Sequence, residues 1–182
     1  MREDKIIYTL KLDAARHFDS WGGGRGVGKV CRLLLLTPGF QVVLLIRMQQ
    51  AFGRIPLLGK VLRRVLWYFN CVTFGCDIDP EARIAPGFYL PHPYCVVIGG
   101  EWDIDKNVTI LQGVTLGRVA PPVKRPYVGQ GVLIAAGAKV IGEVRIGEKA
   151  TVGANAVVTQ DVPAHTVVVG IPARPMNARK SG

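Results

Sequence analysis

Val128-Gly-Gln-Gly-Val-Leu-Ile134-Ala-Ala-Gly-Ala-Lys-Val140-Ile-Gly-Glu-Val-Arg-Ile146-Gly-Glu-Lys-Ala-Thr-Val152-Gly-Ala-Asn-Ala-Val-Val158 puts an aliphatic residue at every sixth position. A period of six is neither the 3.6 of a helix nor the two of a strand. It marks a repeat, and a short repeat means a solenoid. Each hexad supplies one short strand and one turn, three hexads close a triangular coil, and stacked coils bury the aliphatic column. Four residues after each aliphatic position comes a small or apolar side chain, as in Val132, Ala138, Val144, Ala150 and Ala156, which fits where the wall bends.

Upstream, the same series runs through Ile98, Ile104, Ile110 and Leu116, and, two residues out of step, through Ile78, Ile84 and Leu90. Between Leu116 and Val128 the repeat is broken by Gly117-Arg-Val-Ala-Pro-Pro-Val-Lys-Arg-Pro-Tyr127. Three prolines and three cations do not continue a coil, so residues 117–127 are expected to be thrown out as a loop, a common place for function. The reading is a β-solenoid domain over 77–182 preceded by an α-helical region over 1–76. In that region Thr37-Pro38 suits a helix start, Phe40 to Phe52 fills a broad apolar face, and Val61 to Phe69 mixes Arg63 and Arg64 with Leu62, Val65, Leu66 and Trp67.

Bulk properties agree with a folded chain. Of 182 residues, 49% are hydrophobic and 20% charged, a globular composition. The net charge of +10 is uneven, because residues 1–76 hold 12 Lys/Arg against 4 Asp/Glu. Such a surface suits anionic lipid or a polyanionic cofactor. Nucleic-acid binding would rest on charge alone, with no motif behind it. Cys31, Cys71, Cys76 and Cys95 form no CxxC pair, and Met1 to Leu12 lacks the apolar run of a secretory signal. A cytoplasmic location is therefore expected, with peripheral membrane contact through the basic, aromatic helices as an addition. Val30 to Ile46 is interrupted by Arg32 and Pro38-Gly39 and is no uninterrupted span.

Several stretches resemble the hexapeptide-repeat acyltransferases, and among them the serine acetyltransferase type. They are Asp77-Ile-Asp-Pro-Glu-Ala-Arg-Ile84, Leu90-Pro-His-Pro-Tyr-Cys-Val-Val-Ile-Gly99, Asn107-Val-Thr-Ile-Leu-Gln-Gly-Val-Thr-Leu-Gly117, Ile134-Ala-Ala-Gly-Ala-Lys-Val-Ile-Gly142 and Val169-Gly-Ile-Pro-Ala-Arg174. Leu36-Thr-Pro-Gly-Phe40 and Arg47-Met-Gln-Gln-Ala-Phe52 extend the likeness into the helices. The resemblance implies a left-handed parallel β-helix, against the right-handed crossover rule. It also implies acetyl-CoA as acyl donor, no metal, and a homotrimer with active sites between prisms.

By the same resemblance His92 is the general base and Asp77 the carboxylate that orients it. The chemistry agrees, since an imidazole can take the proton of a hydroxyl as it attacks a thioester, and a carboxylate behind it fixes the tautomer. The pantetheine of coenzyme A is expected against Ala136 and Ala154, with Lys124, Arg125 and Arg174 reaching its phosphates. Asp19 matches an acidic residue that serine enzymes use on the amino acid, and Arg125 is a second candidate for substrate contact. His17, His92 and His165 are too dispersed for a three-histidine zinc site of the γ-carbonic anhydrase kind.

Three departures bear on the acceptor. Lys124-Arg125-Pro126 stands where the serine enzymes carry Arg-His-Pro, Pro91 stands where they carry aspartate, and the chain closes on Lys180-Ser181-Gly182 rather than on an extended isoleucine-ended tail. Leu90-Pro-His-Pro93 resembles relatives that acetylate sugars, so a saccharide or other small non-serine hydroxyl is the expected acceptor, and L-serine the alternative.

Overall fold

The computed structural model describes residues 3–53, 55–118 and 124–176. Four helices come first: α1 (Glu3–Ser20), α2 (Val27–Leu36), α3 (Pro38–Phe52) and α4 (Leu58–Phe74). Pro38 occupies the first turn of α3, where its missing N–H costs nothing. The Thr37 hydroxyl, expected to cap that helix, instead donates to the Arg32 carbonyl at 3.0 Å and closes α2. α4 ends on Gly75 in the left-handed conformation, which satisfies its last carbonyls.

From Asp77 the chain forms a β-solenoid with three parallel faces. Face A stacks β1 (Asp77–Ile78), β3 (Val97–Ile98), β6 (Thr115–Gly117), β9 (Lys139–Ile141) and β12 (Val157–Val158). Face B stacks β2 (Arg83–Ile84), β4 (Asp103–Ile104), β7 (Tyr127–Val128) and β10 (Arg145–Ile146). Face C stacks β5 (Thr109–Ile110), β8 (Leu133–Ile134), β11 (Thr151–Val152) and β13 (Val167–Val169), with β14 (Arg174–Pro175) antiparallel at its end. Partners fall on the hexad residues, as in Ile98↔Leu116 and Ile134↔Val152.

The aliphatic column forms the core. Ile78, Ile98, Ile110, Leu116, Val128, Ile134, Val140, Ile146 and Val152 are almost wholly buried, each worth roughly 1.5–3 kcal/mol of apolar burial. The i+4 residues Val108, Val132, Ala138 and Ala150 are buried beside them.

A buried ion pair helps to fasten the helices to the first coil. Arg47 Nε donates to Asp13 Oδ2 at 2.8 Å, and its other nitrogens reach the carbonyls of Ile84 and Ala85. Asp13 Oδ1 also accepts the backbone N–H groups of Gly87 and Phe88. Gly39, at the start of α3, lies against the Leu90 carbonyl, and a Cβ there would come within 1.8 Å of that oxygen. Only glycine allows the helix to approach the coil at this point.

Candidate functional site

The two-residue slip in the repeat becomes a projecting turn. Leu90 and Pro93 are buried while His92 between them is exposed, at the bend that joins face C to face A. The backbone of this turn is pinned on each side. The Tyr94 N–H donates to the His92 carbonyl at 3.0 Å, and the Gly113 N–H of the next coil to the Tyr94 carbonyl at 2.9 Å. The thiol of Cys76 donates to the Pro93 carbonyl at 2.6 Å. Burial pushes that thiol up to about 11, so it remains a protonated donor at neutral pH.

Asp77 opens β1 on face A and pairs with Val97 of β3, the strand that follows the His92 turn. Its Oδ1 accepts the Trp67 indole N–H at 2.9 Å, which leaves Oδ2 for a second donor. Among the described residues no hydrogen bond joins Asp77 to His92. The Cys76 thiol links the two instead, since it precedes one residue and holds the turn of the other.

Below His92 the same bend repeats in each coil. The Gly137 N–H donates to Gln112 at 2.8 Å, and the Asn155 N–H to Ala136 at 2.9 Å. Tyr94, Gln112, Ala136 and Ala154 thus mark four successive levels of one corner, about 14 Å from first to last at normal strand spacing. Ala136 is half-buried and Ala154 exposed, so this corner offers a shallow, small-walled track that leads to His92.

The remaining sequence candidates are spread more widely. Asp19 is exposed on the last turn of α1. Contacts place that end near the His92 turn: Arg16 bonds Asn107 and Thr109, His17 packs on Tyr89 at 4.8 Å, and Gly39 abuts Leu90. Of the loop expected over 117–127, Gly117 belongs to β6 and Tyr127 to β7, and residues 119–123 lie outside the described residues; Lys124, beside them, is exposed. Arg125 is committed elsewhere, with Nε on Asp103 Oδ1 at 2.9 Å and one Nη on the Gly100 carbonyl at 2.9 Å. It sits at the edge of face B, a full face away from His92 in the same chain. Arg174 is exposed on β14 at the far end of face C, and the expected chain end at 180–182 lies outside the described residues.

The other two histidines do different work. His17 is wedged among Trp21, Phe40 and Tyr89, and burial, with help from the Arg16 charge, lowers it to about 4. It is neutral and enclosed at neutral pH. His165 has φ +58 and its N–H bonds the Glu148 carbonyl, a turn position. Among the described residues no group of three or more His, Cys, Asp or Glu is placed to hold a metal ion. A groove of about 730 Å³ runs between α3, α4 and face B past Gln50, Arg63, Glu81, Arg83, Asp103 and Tyr127, and does not include His92. Cys76 and Trp67 are site residues that sequence reading did not single out. Their partners lie 17 and 10 positions away, and nothing local announces them.

Residues 125–160 match the family described as bacterial transferase hexapeptide (six repeats). A serine acetyltransferase of Bacillus pumilus is 37% identical over 169 residues, which are 91% of this chain and 75% of that protein. The match to the Escherichia coli K12 serine acetyltransferase covers less, 38% of its length at 44% identity. Among solved structures, Neisseria gonorrhoeae serine acetyltransferase in complex with serine superposes with a TM-score of 0.84 at 31% identity, over 96% of this chain and 70% of that one. The Brucella abortus enzyme in complex with coenzyme A gives 0.82 at 30% identity, over 94% and 67%.

Proposed function

The chain belongs to the serine acetyltransferase family of acyl-CoA-dependent O-acetyltransferases, and on that premise we propose that it acetylates the hydroxyl of L-serine, with acetyl-CoA as donor. The observation that carries this reading is the likeness to serine acetyltransferases across nearly the whole chain, helices included. The saccharide favoured on sequence grounds rested on three departures from the serine enzymes and on the likeness of Leu90-Pro-His-Pro93 to relatives that acetylate sugars. Relatives that share the helices and the coil together, one of them solved with serine bound, favour the amino acid instead.

His92 takes the serine hydroxyl proton as the oxygen attacks the thioester carbonyl. The tetrahedral adduct then collapses to the O-acetyl ester, and the imidazolium returns the proton to the departing thiolate. Asp77, with Oδ1 occupied by Trp67, offers its second oxygen to the far ring nitrogen, holding the tautomer and steadying the positive charge. Acetyl-CoA lies along the corner marked by Ala136 and Ala154, its thioester end toward His92. Asp19 faces the serine ammonium, and Lys124 and Arg174 are cations available to phosphate.

Arg125 cannot serve its own His92, so in this reading it serves a neighbour's in a homotrimer. Its guanidinium, already oriented by Asp103, belongs to the Lys124-Arg125-Pro126 segment that matches the Arg-His-Pro with which the serine enzymes help hold serine. Lys124-Arg125 keeps the basic character of that Arg-His-Pro and loses its histidine.

The test is thiol release from acetyl-CoA with L-serine and with a panel of sugars and nucleotide sugars. Turnover is expected with L-serine, falling by at least about 10²-fold in His92→Ala. Turnover of a sugar alone, abolished by the same substitution, would return the acceptor to a saccharide.

A further inference from the structure

α4 turns an uncovered apolar face outward. Leu58, Val61, Val65, Tyr68 and Val72 are between 58% and 66% exposed, and their alternating spacing of three and four lays them in one stripe along the helix. Ile55 and Leu57, also exposed, prolong it beyond the first turn. A strip of this kind on a folded chain marks an interaction surface.

The charge around it selects the partner. Between Ser20 and Cys76 the sequence holds eight Lys/Arg and no Asp or Glu. Arg47 is neutralised by Asp13 and Arg63 by Glu81. Lys60 and Arg64 are exposed, and Arg64 flanks the stripe with its guanidinium 3.9 Å above the Trp67 ring. Two copies of α4 laid face to face would set cation against cation, with no acid in either helix to answer. An anionic bilayer answers both features: its acyl boundary takes the apolar stripe, and its headgroups take Lys60 and Arg64. Tyr68, 63% exposed, is an amphipathic aromatic of the kind that settles at that depth. No single helix among the described residues is long and apolar enough to cross a membrane, and an apolar stripe with cations beside it suits α4 to the interface plane.

We propose that α4 is a peripheral docking surface for anionic lipid, which holds the enzyme at a membrane while its β-solenoid works in water. The proposal stands apart from the acceptor, because it requires no turnover. It is tested by flotation of the full chain with vesicles of phosphatidylcholine, with and without phosphatidylglycerol. Binding is expected to the anionic vesicles and to weaken steadily with salt. Val65→Asp with Tyr68→Asp should lower the bound fraction at least about tenfold, as loss of buried apolar area on an interfacial helix predicts. Lys60→Glu should weaken it by less, and in both variants acetyl transfer in solution should match the parent. Absence of vesicle binding by the parent at low salt overturns the proposal. So does undiminished binding by the double variant, or a drop in its assembly mass, which would show that the stripe meets a second copy of the chain.

Discussion

The Cys76 thiol connects the proposed general base and the carboxylate that orients it, one position before Asp77 and bonded to the carbonyl one position after His92. It is a positioning group, since it is buried and its proton is held well above neutral pH. Its loss should let the Pro91–Pro93 turn relax, and small displacements of a base from its substrate are costly. Cys76→Ala is expected to lower kcat by about ten- to a hundredfold, with the KM for acetyl-CoA unchanged, and Cys76→Ser, which keeps a donor, to recover most of it. Steady-state kinetics on the three proteins decide the matter, and a Cys76→Ala enzyme with parental kcat would remove the role. His92 and Asp77 are candidates because the motifs around them resemble those of the serine acetyltransferase type. Cys76 could not be picked out in this way, because its partner is reached only when the coil has closed.

At the scale of elements, the hexad column made the coil legible, and the breaks in the column were as informative as the column itself. The two-residue slip is the His92 turn, and the interruption after Leu116 is the segment that ends in Lys124 and Arg125. The attachment of the helices was not legible, for a physical reason. Asp13 and Arg47 lie 34 residues apart on different helices, and each looks like an ordinary surface charge until both are enclosed against the coil. Asp13 Oδ1 holds two backbone N–H groups at Gly87 and Phe88, so its removal strands those donors as well as the guanidinium. Asp13→Ala should therefore cost about 3–5 kcal/mol, the usual penalty for an abandoned buried charge. An Asp13→Ala, Arg47→Met double variant should recover part of that loss. Urea unfolding of the two proteins measures both, and equal midpoints for Asp13→Ala and the parent would show that the pair carries no net stability.

For the molecule as a whole, the decisive geometry is that of a triangular prism. His92 projects from the bend between faces C and A, whereas Arg125 is fixed to Asp103 and Gly100 at the edge of face B. One chain cannot bring them together without undoing the Arg125 bonds. Packing prisms about a threefold axis can, because the leading corner of one then meets the trailing edge of the next. In the proposed homotrimer the site is composite, and this can be tested by complementation. His92→Ala and Arg125→Ala proteins should each be nearly inactive alone, while trimers reassembled from their mixture should contain some interfaces that pair an intact His92 with an intact Arg125. With equal amounts and random exchange, about one interface in four is fully intact, so activity near a quarter of the parent is expected after mixing and refolding. Light scattering should report a mass of three chains for every preparation. A site complete within one chain predicts no recovery on mixing, because each mutant chain would carry its own defect into every site it forms. Recovery therefore distinguishes a shared active site from trimers that merely stand side by side.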